Sequence, residues 1–180
     1  MRAFYYMDMA RMFAPKTYAK DPKAITVPIV VETTTLEDLT KNPRATNEVM
    51  WAQIMSDLEK AEKYLANYKR ADKYTPDLSV VYGLKARAYL TMENWAKAEE
   101  YAKKAQAGYT MLNEEQFLSR TSGFNSVNDS WMFAVTYKES DENILDNDGD
   151  SSWGAQMIIE VSESGCGFAA NYGAPKRIDN

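Results

Sequence analysis

The 180-residue chain contains no histidine and one cysteine, Cys166. Without histidine there is no Ser-His or Cys-His nucleophile pair and no imidazole metal ligand. One cysteine cannot close an internal disulfide. Cys166 lies in Ser-Gly-Cys-Gly-Phe. With no histidine to take its proton, it reads as a small, partly buried thiol in a glycine-rich turn rather than a nucleophile. No stretch is long and apolar enough to cross a membrane as a helix. The opening residues, MRAFYYMDMARMFAPK, fail as a signal peptide. Asp8 and Arg11 interrupt the apolar run, and no small-residue cleavage site follows. Basic surface is also scarce. The net charge is −5 and the pI about 4.9, and short basic clusters such as Lys103-Lys104 sit among acids. That balance argues against nucleic-acid binding and against polybasic attachment to a membrane.

What is present is helical periodicity. Residues 2–13 place Ala3, Met7 and Ala10 on one face, while Phe4, Tyr5, Met9 and Met12 cover much of the rest. A helix apolar nearly all round is expected to be buried, and Pro15 ends it. The opening reads as the middle of a folded domain, so the chain is expected to be part of something longer. Residues 14–45 look irregular, with AITVPIVVETT as an edge strand or ordered loop because Pro28 interrupts it. Residues 47–68 carry the clearest stripe: Met50, Ile54, Leu58, Ala61 and Leu65, spaced 4, 4, 3 and 4. Thr46 is placed to cap this helix, and Glu48 sits in its first turn. Residues 79–92 align Val80, Leu84 and Ala88. After a tight Glu93-Asn94 turn, residues 95–107 align Trp95, Ala98, Ala102 and Ala105. Trp51 and Trp95 both read as packing residues. Glu99-Glu100 and Lys103-Lys104 form i,i+4 pairs on a solvated face.

The expected fold is mainly α. Residues 1–118 form a scaffold of helical hairpins, and 119–180 form a loop-rich extension packed on it. SWMFAVTYK (130–138) and AQMIIEVS (155–162) are expected to be short strands, with Trp131 in the core. Binding candidates fall in the extension. A saccharide site needs exposed aromatic faces plus polar groups for hydroxyls. Trp153 stands in a polar, glycine-containing loop and fits that need, with packing on the helices as the alternative. Tyr172 and Asn171 are similar. Asp146, Asp148 and Asp150 alternate in a loop that could hold calcium. Gly149 comes too early for the EF-hand pattern, so a solvated acidic loop is the preferred reading. No cofactor is expected. No carboxylate pair sits where one pKa would shift, so glycosidase action has no support.

Gly83, Ala86, Ala88 and Tyr89, followed by NWAKA and YAKKA, match one tetratricopeptide (TPR) hairpin. The ordered set RAFYYMDMARMFA, ITVPIVVET, NPRATNEVMWAQIMSDLEKAEKYL, VVYGLKARAYLTMENWAKAEEYAKKA and SVNDSWMFAVTY resembles the SusD/RagB family of outer-membrane, surface-exposed nutrient-binding lipoproteins of Bacteroidetes. The resemblance covers about residues 1–137. It implies non-catalytic binding of an oligosaccharide or other nutrient, handed to a SusC-like TonB-dependent transporter, with the helices as scaffold. Family members begin with a signal peptide and an N-terminal lipid-modified cysteine, which this sequence does not show, and they continue well past KRIDN. Membrane association is therefore expected only through an anchor outside this sequence. The other reading is an independent TPR adaptor that binds peptides, which calls for more regular repeats. A hydrolase is the weakest reading.

Overall fold

The computed structural model describes residues 1–119 and 127–134, all within one compact unit, Met1–Ala134. In order, the elements are α1 (Arg2–Phe13), β1 (Ile25–Pro28), α2 (Leu36–Lys41), β2 (Arg44–Thr46), α3 (Asn47–Leu65), α4 (Leu78–Thr91), α5 (Trp95–Gln106) and α6 (Glu114–Leu118). Two hairpins share a boundary. α1 packs on α3, α3 on α4, and α4 on α5.

The core lies where α1, α3 and α4 meet. Met7, Met50, Trp51, Ile54, Leu58, Val81 and Ala88 are buried there, with Ala61, Leu65 and Leu84 packed against them. The α3 stripe thus matches its spacing. Its N-terminus is well satisfied. The Thr46 side chain accepts the Val49 N–H, and the Asn47 and Glu48 N–H groups donate to the Ala24 and Pro22 carbonyls. Buried Asn47 donates its side-chain amide to the Lys16 and Asp21 carbonyls, which fixes the connection from α1. The helix ends at Leu65, three residues before the expected end, where a turn brings the Tyr68 N–H to the Leu65 carbonyl.

The 14–45 connection is more ordered than its composition implies. β1 pairs antiparallel with β2, Ile25 opposite Thr46 and Pro28 opposite Arg44, with an irregularity between. Pro28 stands at the strand's end, where its missing N–H costs nothing. The Tyr6 hydroxyl accepts the Val30 N–H at 2.6 Å and donates to the Val30 carbonyl at 3.1 Å, tying the loop to α1. α2 is short and starts with a Thr35/Asp38 capping box.

Four expectations need correction. α1 is not buried all round: Ala3, Tyr6, Met7 and Ala10 face the core, whereas Tyr5, Met12 and Phe13 are exposed. Among the described residues only α3 and β1 pack on it closely. In α4 the most buried positions are Val81, Lys85 and Ala88, with Val80 and Leu84 half-buried. α4 lies between α3 and α5, so it buries two faces rather than one stripe. In α5 only Ala98 and Ala105 are buried, and Trp95 is 61% exposed. α5 contacts one helix, so its buried stripe is narrow and Trp95 falls outside it. Residues 131–134 form no strand. Their backbone bonds go to the loop before α4: Ala134 N–H to the Lys73 carbonyl, and the Met132 carbonyl to Arg70. Residues 135–138 and 155–162 lie outside the described residues.

Two sequence details explain how the second hairpin closes. Gly83, a small-residue position of the repeat, lets Met132 approach, and a Cβ there would stand 3.1 Å from the Met132 sulfur. The α4–α5 turn is made by Glu93 with φ of 58°, a conformation that costs a side-chain-bearing residue about 1–2 kcal/mol. Glu93→Gly is expected to stabilise the fold by roughly 0.5–1 kcal/mol, read as a higher denaturation midpoint with an unchanged slope.

Candidate functional site

A groove of about 530 Å³ lies between the start of α1, the second half of α3 and the first half of α4. Leu58, Ala61, Leu65, Val80 and Leu84 line it, with Met132 and Phe133 at one end. Arg2 stands at its rim. The Arg2 guanidinium grips Asp57 through two bonds of 2.7 and 2.6 Å and reaches Glu32 at 2.8 Å. Hydrogen bonding to Arg2 holds the Asp57 carboxyl below its ordinary range, against the opposing effect of burial, and Gln53 adds a further bond at 3.0 Å. Because Asp57 is held lower in the folded state than in the unfolded one, its stabilisation is present above the unfolded value near 3.9 and fades as pH falls through the folded value. The stability of the chain is therefore expected to drop more steeply below about pH 4 than that of an Asp57→Asn variant, measured by denaturant titration across the acid range.

A second groove, about 460 Å³, runs beside the end of α3 and is lined by Glu59, Glu62, Lys63, Leu78 and Tyr82. Behind it lies a cluster that the sequence did not advertise. Lys85 is 3% exposed and paired with Glu62, and its ammonium lies 4.9 Å from the Tyr101 ring centre. Burial pushes Lys85 down, while Glu62 and then Tyr101 push it up, and the net result lies above the ordinary value. Tyr101 stacks on Tyr89 at 5.5 Å and meets Tyr82 at 5.9 Å. The Lys104 ammonium lies 4.6 Å from the Tyr101 ring centre and bonds Glu100 at 2.7 Å. The Lys104 bond, then the Lys97 bond, lower Glu100 to about 2. Every charge here has a partner, so the cluster reads as a strut between α3, α4 and α5. Only the i,i+4 pairs of α5 were legible beforehand. The Lys85–Glu62 pair is long-range and has no sequence signature.

Arg70 is a third centre. It bonds Asp77 at 2.9 Å, the Met132 carbonyl at 2.6 Å and the Tyr109 hydroxyl at 2.8 Å. Asp77 caps α4 by accepting the Ser79 and Val80 N–H groups. Lys73 donates to the Asn128 carbonyl at 2.7 Å. These bonds fasten residues 127–134 to the second hairpin.

Of the tryptophans, Trp51 is a core residue, Trp131 is half-buried beside Met111, Phe117 and Phe133, and Trp95 is exposed. Trp153, Asn171, Tyr172, Asp146, Asp148, Asp150 and Cys166 all lie outside the described residues. No group of three or more acidic, cysteine or histidine side chains suited to a metal ion occurs among the described residues.

No family model and no curated protein matches the chain. Solved structures do. A SusD-like carbohydrate-binding protein from Bacteroides vulgatus is 32% identical with a TM-score of 0.62, over 73% of this chain and 28% of that one. A SusD superfamily protein from Bacteroides fragilis is 25% identical with a TM-score of 0.53, over 62% of this chain and 26% of that one. A SusD-like protein from Bacteroides fragilis covers more, 89% of this chain and 33% of that one, at 23% identity and a TM-score of 0.58. That last likeness concerns the fold. The chain thus spans about a third or less of the length of the proteins it matches. Over the span it shares with them, the chain has the mainly helical fold of SusD-like proteins and resembles that family in sequence.

Proposed function

We propose that the chain serves in non-catalytic glycan binding at a bacterial cell surface, as part of a SusD-like lipoprotein that passes its ligand to a SusC-like TonB-dependent transporter in the outer membrane. The observation that carries this reading is the 32% identity, over 73% of the chain, to a protein described as a SusD-like carbohydrate-binding protein. The chemistry of the chain is in keeping with it. No histidine is available for acid–base or nucleophilic work, and the strongly held carboxylates, Asp57 and Glu100, are fixed by Arg2 and by Lys104 with Lys97. In this reading the hairpins α1/α3 and α4/α5 act as scaffold. Trp153, Asn171 and Tyr172 remain the proposed sugar contacts of the extension, and the acidic loop holding Asp146, Asp148 and Asp150 is proposed to be solvated.

Native electrophoresis in gels containing single polysaccharides tests the proposal. Retardation by at least one polysaccharide, without release of reducing ends, is the expected result. Reducing-end release would replace binding with hydrolysis. Unretarded migration in every gel would remove the glycan reading.

A further inference from the structure

The stretch running from the end of α3 toward α4 is basic although the chain as a whole is acidic. Residues 60–74 carry Lys60, Lys63, Lys69, Arg70 and Lys73 against Glu62 and Asp72, a local balance of +3 in a chain of net charge −5. Arg70 and Lys73 are used internally, on Asp77 and on the 127–134 segment. Lys60, Lys63 and Lys69 are exposed, and none has an ion-pair partner among the described residues. Lys60 looks across one helical turn at Asp57, but Arg2 already holds that carboxylate. Interleaved with the lysines are three exposed aromatic rings: Tyr64 at 83%, Tyr68 at 44% and Tyr74 at 47%.

The spacing puts these groups together. Lys60, Lys63 and Tyr64 are three and four residues apart on α3 and so share one face. Tyr64 and Lys60 border the first groove and Lys63 the second. Tyr68 and Lys69 follow immediately, held by the turn that bonds Tyr68 N–H to the Leu65 carbonyl. The Tyr74 N–H is fixed on the Asp72 carboxylate at 2.9 Å. A solvated helix end accounts for Lys63, since a cation in the last turn suits the helix dipole. It does not account for three tyrosines left in water beside unpaired lysines.

We infer that residues 60–74 form a docking strip for an acidic saccharide, one whose pyranose rings carry uronate groups. This inference rests on the glycan-binding reading above. A pyranose ring has an apolar face that a tyrosine ring covers, and its carboxylate lies at the ring edge, where a flanking ammonium reaches it. The unpaired ammonium groups draw an anionic ligand to the strip, and the exposed tyrosine rings beside them supply the faces that a saccharide needs.

The test is calorimetric titration of the full chain with polygalacturonate oligosaccharides, a neutral galactan of matched length and a sulfated galactan. The inference expects binding of the uronate probe that weakens as salt rises. Lys60→Gln, Lys63→Gln and Lys69→Gln together should weaken it about tenfold, the summed effect of three exposed charge pairs. Tyr64→Ala should weaken it about threefold, whereas Lys20→Gln with Lys23→Gln should leave it unchanged. All these positions are at the surface, so circular dichroism should match the parent. Binding of the neutral galactan alone overturns the strip and leaves the glycan reading standing. Binding of no saccharide overturns both. Preference for the sulfated galactan overturns the uronate assignment. Equal, salt-sensitive binding to phosphatidylserine vesicles or duplex DNA shows a general polyanion surface and also overturns it.

Discussion

Trp51→Ala is expected to destabilise the chain by about 3–5 kcal/mol, while Trp95→Ala should change stability by less than about 0.5 kcal/mol. The two residues look alike in sequence, each on a helix face and each flanked by alanine. Trp51 is 1% exposed and belongs to the cluster that joins α1, α3 and α4. Truncating it removes a large apolar surface from the place where three helices meet, and the neighbours cannot collapse into the space without moving a helix axis. Native stabilities are commonly about 5–15 kcal/mol, so the first change takes a large share of the total. Urea titration of both variants against the parent gives the comparison. Equal midpoint shifts would mean that α5 is packed on a second surface through Trp95, contrary to the exposed position described above.

Arg70→Ala is expected to cost about 2–4 kcal/mol and to loosen one segment selectively. The guanidinium joins Asp77, Tyr109 and the Met132 carbonyl; the Ser79 hydroxyl also links Asp77 to Tyr109, so the Met132 carbonyl depends most on Arg70. Its removal leaves Asp77 still capping α4 but without a counter-charge, and leaves the Met132 carbonyl short of a donor. The Ala134 N–H, which donates to the Lys73 carbonyl, should then exchange with solvent markedly faster, while core amides of α3 keep their protection relative to global stability. Hydrogen exchange resolved by residue checks this. Uniform loss of protection would make Arg70 a general stabiliser rather than a fastener of residues 127–134.

Much of the helical frame could be read directly. The 4, 4, 3, 4 spacing from Met50 to Leu65 had one solution, and Thr46 announced the start of α3. The chain order of motifs also pointed to the family. What could not be read depended on neighbours. α4 is buried on two sides, so a single-stripe reading chose Val80 and Leu84 and passed over Lys85, which no periodicity rule places inside. Trp95 was read as packing because it begins an alanine stripe, yet the stripe that meets α4 is rotated to Ala98 and Ala105 and leaves Trp95 outside. α2 was missed because it is six residues long, although its Thr35/Asp38 capping box was a usable signal. The strand expected at 130–138 failed over its described part because its backbone partners are Arg70 and the Lys73 carbonyl rather than another strand. The saccharide contacts expected at Trp153, Asn171 and Tyr172 lie outside the described residues. The lysine–tyrosine strip was visible in composition, but its significance depends on exposure and on which lysines lack partners.

Whether the chain binds glycans, as proposed, or peptides is decided by paired arrays. The purified chain, carrying an appended epitope tag for detection, is applied side by side to a glycan array of neutral and acidic oligosaccharides and to an array of extended and helical peptides. Signal is expected on a restricted set of glycans, competed away by the same free sugar, and none on peptides. Competable signal on peptides with a blank glycan array would contradict it and make the helical hairpins an adaptor surface.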